Sequence, residues 1–208
     1  MKKDTSARLS GTAALALDIL LALVLLGALW GFYNGFVFSR VQGGDMFPTY
    51  RSTDFLLCKK VKSYERGDIL FFRGSPEMLT YQEKDTSIRR VVGLPGETVE
   101  LYPDGTVTVD GRTVEEPYLE EAAKRATYRE NGITALTLGE DEYFVLGDER
   151  ASARDSRDYG PVKASAALGR ALDEPNMVEF LLTLILPLCI ALGLWCLGDH
   201  FLTKMRRS

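Results

Sequence analysis

Two long apolar stretches, one near each end of the chain, constrain its fold more than any other feature. Residues 11–38 contain one charged residue, Asp18, and residues 180–198 contain none. At a rise of about 1.5 Å per residue, a helix over either stretch is long enough to cross the roughly 30 Å hydrocarbon core of a bilayer. We therefore predict two transmembrane helices, over residues 11–38 and 180–198.

The charges that flank the two stretches predict their orientation. The basic residues are Lys2, Lys3, Arg8, Lys204, Arg206 and Arg207. Positive flanks stay in the cytoplasm. Residues 1–10 and 199–208 are thus predicted to be cytoplasmic, and residues 39–179 to form an extracytoplasmic domain of a multi-pass protein of the cell membrane.

Two details of the first stretch allow other interpretations. A cleaved signal peptide is disfavoured, because the apolar run is long for one and no clear small-x-small cleavage site follows it. Asp18 is either a functional carboxylate inside the membrane or, if the span starts at Ile19, a residue at the level of the headgroups.

The composition of the middle of the chain excludes several classes of site. The only histidine of the chain is His200, near the C-terminus, so neither a Ser-His-Asp triad nor a multi-histidine metal site can form in the middle. Residues 39–179 contain 19 basic and 26 acidic residues, a net charge of −7, which argues against nucleic-acid binding. We expect no metal and no cofactor. Cys58 has no histidine to activate it and is interpreted as a structural thiol.

The outer domain is predicted to be mainly β, a β-barrel or sandwich. Short β-rich runs occur at 54–60, 67–73, 90–93 and 98–102, separated by Gly, Pro and Asp. The clearest hairpin signal lies between 99 and 114, where Asp104-Gly105 and Asp110-Gly111 interrupt alternating residues. Residues 120–131 are predicted to be a polar helical or loop insertion.

Five ordered motifs carry a family resemblance. They are GGDMFPTY at 43–50, RGDILFF at 66–72, RRVVGLPGETVEL at 89–101, YFVLGDERASARDSRDYGPV at 143–162 and LGRAL at 168–172. In order and spacing they resemble the conserved boxes of type I signal peptidases, which are membrane-anchored endopeptidases that remove signal peptides from exported proteins. The resemblance implies the signal peptidase fold for residues 39–172.

The resemblance also implies that the reactive residues are replaced. Family members use a serine nucleophile and a lysine general base, and the matching positions here are Asp45 and Arg89. A guanidinium stays protonated at any cellular pH, so Arg89 cannot act as a base. Asp45 has no hydroxyl, and its carboxylate is a poor nucleophile toward an amide. A third position, where a family serine helps to orient the lysine, is Ala153.

Outside the serine and lysine positions, some residues of the same motifs match the family and others differ from it. Arg90, Asp148, Asp155 and Arg157 are implied to support the site structurally, whereas Glu149 and Ala151 depart from the pattern. If Asp45 and Arg89 occupy the dyad positions, they lie within contact distance, and we expect a charge-assisted pair that fills and closes the former active site.

The residues around this position are candidates for a binding cleft. Those that follow from the motifs are Gly43, Gly44, Met46, Phe47, Pro48 and Phe71. For the glycines the alternative is turn chemistry. For Met46, Phe47 and Phe71 the alternative is the hydrophobic core.

Three functions remain open from the sequence. The first is an inactive signal peptidase homologue that binds exported protein segments in extended form and assists their processing or assembly, as signal-peptidase-like proteins of Gram-positive pilus clusters do for pilins. The second is an active signal peptidase with an unconventional site. The third is a structural membrane subunit whose cleft binds nothing. Expected partners are an exported or surface protein segment, membrane lipid and a membrane protein that contacts the second span, but no nucleic acid.

Overall fold

The computed structural model describes residues 11–74 and 85–172, together with Cys189. The chain divides into two compact units, and all described strands lie in the unit Phe36–Leu172. The other unit contains helix α1, Gly11–Gly35. The helix is three residues shorter than the predicted range 11–38, because strand β1, Phe36–Arg40, begins directly after it and pairs with β2, Phe55–Lys59.

Neither predicted transmembrane span is confirmed by the described residues. Within residues 11–74 and 85–172, no helix combines the length and the apolar character needed to cross a membrane. The predicted second span, 180–198, lies outside the described residues except for Cys189, as do residues 173–179 of the predicted outer domain.

The larger sheet has seven strands, and every neighbouring pair is antiparallel. In spatial order the strands are β1, β2, β11 (Ala167–Ala171), β3 (Ile69–Arg73), β4 (Thr86–Gly93), β9 (Glu142–Leu146) and β10 (Val162–Lys163). The predicted run 90–93 is thus the second half of a longer strand. Four of the five residues of β3 and six of the eight residues of β4 are buried. The sequence of β3 is accordingly a nearly continuous apolar run, whereas β4 also buries the two arginines Arg89 and Arg90.

The smaller sheet has four strands and contains the predicted hairpin. Its spatial order is β7 (Arg112–Thr113), β6 (Val107–Val109), β5 (Thr98–Leu101) and β8 (Ala135–Thr137). Asp110 and Gly111 have φ of 49° and 72°, as a two-residue type I′ turn requires. The turn dipeptides therefore predicted this part of the fold correctly.

The helices of the outer unit are short. Helix α2, Glu121–Arg125, occupies part of the predicted insertion at 120–131. Helix α3, Ser156–Tyr159, starts at a capping box. The Asp155 side chain accepts hydrogen bonds from backbone amides of the first turn, and the Asp158 side chain accepts one from the Asp155 amide. A 3₁₀ turn, Ala164–Ala166, leads into β11.

Candidate functional site

The site is built around a contact between a loop and a strand. Asp45 lies in the turn that follows β1, and Arg89 lies near the middle of β4. The Nη2 atom of Arg89 donates a hydrogen bond to Oδ2 of Asp45 over 2.5 Å. The Arg89 side chain is 2% exposed and that of Asp45 is 30% exposed. The expected charge pair between these two residues is confirmed.

The guanidinium of Arg89 donates all of its hydrogen bonds to groups of the protein. Nε and Nη2 both donate to the carbonyl oxygen of Arg154, and Nη1 donates to the Ser87 hydroxyl and the Ile88 carbonyl. With the bond to Asp45, all five N–H donors of the group are satisfied. Arg89 is therefore held as a fixed, buried cation and has no neutral form that could take a proton.

The backbone of Asp45 is held by the loop that follows β9. The carbonyl of Asp45 accepts a hydrogen bond from the amide of Glu149 over 3.0 Å. A Cβ atom added to Gly147 would lie 2.6 Å from this carbonyl and 2.3 Å from Cβ of Ala153. Ala153 is fully buried. The position at which the family resemblance places a serine is thus packed against the backbone that positions Asp45.

The next residue of β4 makes a second ion pair. Arg90 Nε donates to Oδ1 of Asp148 over 2.9 Å, and its Nη2 donates to Oδ2 over 2.6 Å. Thr49 donates to the same carboxylate, and the Arg90 guanidinium lies 3.9 Å from the centre of the Tyr118 ring. Because such two-point pairing fixes orientation as well as distance, it ties the loop after β9 to β4. The bond from Thr49 joins the loop after Asp45 to the same carboxylate.

A third pair lies beneath the loop that follows β9. Arg157 and Asp155 are both fully buried and are joined by bonds of 2.7 and 2.6 Å. Asp155 also accepts from the Gly147 amide, and Nη1 of Arg157 donates to the carbonyls of Ala126 and Thr127. The four residues implied to support the site, Arg90, Asp148, Asp155 and Arg157, therefore form two buried pairs around it.

Sequence reasoning missed one further buried pair. Arg150 and Glu116 are joined over 2.6 Å with side chains 0% and 4% exposed, and Arg150 also donates to the Gly147 carbonyl and the Thr127 hydroxyl. The signal was present, since Arg150 follows Gly147-Asp148 within the box that carries the family resemblance. Glu116 has no comparable signal, because nothing in its own surroundings in the sequence indicates burial.

Several predicted cleft residues have other roles. Met46 is 1% exposed and Phe71 is 5% exposed, and both belong to the hydrophobic core beneath the site. The cleft assignment of both residues is therefore corrected to a core position, because the side chain of Met46 packs inward from the turn and that of Phe71 lies in the buried strand β3. Gly43 has a φ of +89°, and a Cβ atom at Gly43 or Gly44 would meet nothing within 4 Å. Gly43 is thus explained by turn geometry rather than by a close backbone approach.

A small cavity lies between the end of β1 and the start of β4. Its lining includes Val41, Gln42, Phe71, Thr86 and Ile88. Its volume is about 20 Å³, which is enough for about one water molecule and too small for a side chain.

A larger groove lies on the surface beside Asp45, and we call it the lateral groove. Its volume is about 360 Å³. Phe47, which is 48% exposed, and Pro48 form one part of it. The remaining lining comes from the segment around α2 and from residues 148–151. Of the predicted cleft residues, Phe47 and Pro48 are the two that line an open surface of this size.

Cys58 lies in the core below this region. Its side chain is fully buried, and burial raises the pKa of the thiol from 9.0 to about 12. The thiol is therefore protonated at neutral pH, as its interpretation as a structural residue requires. Within residues 11–74 and 85–172, no group of three or more His, Cys, Asp or Glu side chains is arranged to hold a metal ion.

Several known proteins that are similar to this chain are signal peptidases. The signal peptidase family, peptidase S26, matches residues 13–172. Signal peptidase I T of Bacillus subtilis is 32% identical over 164 residues, 75% of this chain and 78% of that protein. Signal peptidase I V of the same species is 32% identical over 146 residues, 64% of this chain and 82% of that protein. A crystal structure of a signal peptidase I from Enterococcus faecalis is 33% identical with a TM-score of 0.42, covering 55% of this chain and 100% of that one.

Proposed function

Because the chain belongs to the peptidase S26 signal peptidase family, we propose that it is a catalytically inactive, membrane-anchored member that binds segments of exported proteins. The observation that carries the proposal is the ion pair between Asp45 and Arg89. These residues stand where the family motifs have a serine and a lysine. A Ser-Lys mechanism needs a neutral amine to remove the hydroxyl proton, and this pair contains neither group.

The surroundings of the pair support inactivity as well. Arg89 is buried and bonded through all five donors, so no other base can enter its place without breaking these bonds. Ala153 has no hydroxyl to orient a base and is packed against Gly147. The supporting pairs around the site are nevertheless complete. A scaffold that keeps its shape without its reactive groups is suited to binding rather than to cleavage.

An extended segment is the ligand that the sheet favours. Among the described strands, β1 stands at one end of the order of the seven-stranded sheet, and the described register between β4 and β9 runs from Arg90 to Gly93. Strand edges bind extended peptides through main-chain hydrogen bonds and need no nucleophile. We propose that an exported segment lies along the former cleft beside Asp45 and is assisted in its processing or assembly, with pilin assembly as one such role.

The membrane anchors are part of the same proposal. The apolar stretches at 11–38 and 180–198 and their basic flanks support two spans with both termini in the cytoplasm. This topology would hold the outer unit at the membrane surface, where exported segments emerge. The second span would also offer a surface for a membrane partner.

Photocrosslinking tests the binding function directly. A benzophenone amino acid replaces Phe47 in the full chain, which is purified in detergent and irradiated with a purified preprotein. Tyr102, an exposed aromatic residue directly after β5, is replaced in the control. We expect an adduct from position 47, none from position 102, and an uncleaved preprotein. Absence of an adduct at position 47 would assign the protein a purely structural role, and cleavage that depends on Asp45 would show an active peptidase.

A further inference from the structure

The lateral groove combines apolar walls with acidic residues. Its apolar lining is formed by Phe47, Pro48, Leu119, Ala122, Ala123 and Ala151. Glu120 and Glu149 also line it, and among residues 11–74 and 85–172 no Lys or Arg does. Its volume of about 360 Å³ lies within the range of roughly 300–1,000 Å³ that is typical of pockets that bind ligands.

The groove contains one buried, paired carboxylate and two carboxylates that are open to solvent. Asp148 also lines it, but its carboxylate is already paired with Arg90 and is buried. Glu120 is exposed, and Glu149 is partly exposed. The local charge presented to a ligand is therefore negative, and complementarity requires a cation on whatever occupies the groove.

The groove adjoins the former active site. The amide of Glu149 donates to the carbonyl of Asp45, and Phe47 follows Asp45 by two residues and donates its amide to the Gly44 carbonyl. A segment that passes Asp45 therefore reaches the groove directly. The cavity between β1 and β4, by contrast, is too small for a side chain.

We propose that the lateral groove binds a large apolar side chain that is adjacent to a Lys or Arg in the extended exported segment. This inference rests on the proposed binding function and specifies the chemistry of the segment. The apolar side chain packs against Phe47, Leu119 and the alanines of α2, while the neighbouring cation lies between Glu120 and Glu149. Phe47 then has a specific role, as the exposed aromatic wall of the groove.

Peptide binding to the purified full chain in detergent tests the inference. The probe is a fluorescent eleven-residue peptide with a central phenylalanine flanked by lysines. Two matched peptides replace either the lysines by glutamates or the phenylalanine by alanine. Fluorescence anisotropy gives the Kd. We expect the first peptide to bind and each replacement to weaken binding. The charge reversal should raise the Kd by about fivefold or more, because an exposed charge pair contributes only a small part of the binding free energy.

Variants of the groove test its acidic charge and its apolar space separately. Glu120→Gln with Glu149→Gln is expected to weaken binding of the lysine peptide about fivefold and to leave the Kd unchanged for a peptide without charges. Glu140→Gln, at an exposed glutamate outside the groove, is the control and should change neither. Ala122→Trp fills the groove and should abolish binding of both peptides, whereas Ala135→Trp, at an exposed alanine of β8, should not.

The outcomes distinguish this inference from the proposed function. Equal affinity for lysine and glutamate peptides, or no binding of any peptide, would overturn the inference. The crosslink from position 47 to a preprotein would still form in that case if the proposed function holds. Self-association that Ala122→Trp abolishes, without peptide binding, would assign the groove to a second copy of the chain and would also overturn the inference.

Discussion

Arg89 Nη2 donates to Asp45 Oδ2 over 2.5 Å and thereby joins the turn after β1 to the middle of β4. The cation of this pair is almost fully buried, whereas the carboxylate is partly open to solvent. An arrangement of this kind neutralises the buried charge and leaves one face of the carboxylate accessible. Its consequences for stability and for activity can be measured separately.

Removal of the carboxylate should destabilise the domain. Asp45→Ala leaves Arg89 with its carbonyl and hydroxyl partners but without a counter-charge, and we expect a loss of about 1–3 kcal/mol in the free energy of unfolding. Urea titration of the full chain in detergent measures it. Asp141→Ala, at an exposed aspartate, is the control, with an expected change within about 0.5 kcal/mol.

A double-mutant cycle shows whether the loss comes from the pair itself. Arg89→Met combined with Asp45→Ala removes both charges, and this double variant should be more stable than the sum of the single losses predicts. Equal losses for Asp45→Ala and Asp141→Ala, or strict additivity in the cycle, would mean that the contact contributes nothing to the fold.

The close packing of Gly147 should also be measurable. Gly147→Ala places a methyl group 2.3 Å from Ala153 Cβ and 2.6 Å from the Asp45 carbonyl, so the loop must shift, at a cost of about 1–3 kcal/mol. Gly44→Ala is the matched control, because its added Cβ meets nothing within 4 Å. Similar melting temperatures for the two variants would argue against the packing that holds Asp45 in place.

Arg157 should not be replaceable by lysine. Its Nη1 donates to the carbonyls of Ala126, Thr127 and Arg150, while Nε and Nη2 bind Asp155. A lysine has three donors on one atom and cannot span these acceptors. We expect Arg157→Lys to lower the free energy of unfolding by about 2–4 kcal/mol. Arg112→Lys, at an exposed position of β7, should leave it within about 0.5 kcal/mol, and a similar effect of both changes would refute the structural role of Arg157.

The thiol of Cys58 should be protected in the folded protein. Burial raises its pKa to about 12, so iodoacetamide at pH 8 should leave Cys58 unmodified until the protein is unfolded in urea, as read by peptide mass spectrometry. Because the pKa is raised on folding, the associated stability is complete below about pH 9 and is lost as the pH rises toward 12. Above pH 9 the free energy of unfolding should fall more steeply for the wild type than for Cys58→Ala. Rapid alkylation in the native state would contradict the buried position.

The sequence was sufficient for much of the fold and for the central contact. Turn dipeptides such as Asp110-Gly111 mark their own hairpin, because few residues adopt positive φ. The partnership of Asp45 and Arg89 followed from two motifs that are 44 residues apart. The position of Met46 did not follow, since a residue in a turn carries no periodic pattern that shows which way its side chain points.

Features that depend on tertiary packing were less accessible. The apolar run of α1 continues to Phe38, which is why residues 11–38 are predicted as one helix. The only local sign of the change to a strand is the Asn34-Gly35 dipeptide, and pairing with β2 fixes the strand. The lateral groove is formed by three segments that are far apart in the chain. Its existence therefore depends on how the loops meet, which hydrophobic patterns do not encode.

Incubation of the purified full chain with a preprotein in detergent tests the central claim most directly. Signal peptidase I T of Bacillus subtilis serves as the positive control for processing, and Asp45→Ala serves as the matched variant of this chain. We predict that the wild type leaves the preprotein at full length under conditions in which the control enzyme processes it. Appearance of the mature product with the wild type, and its loss with Asp45→Ala, would contradict the account.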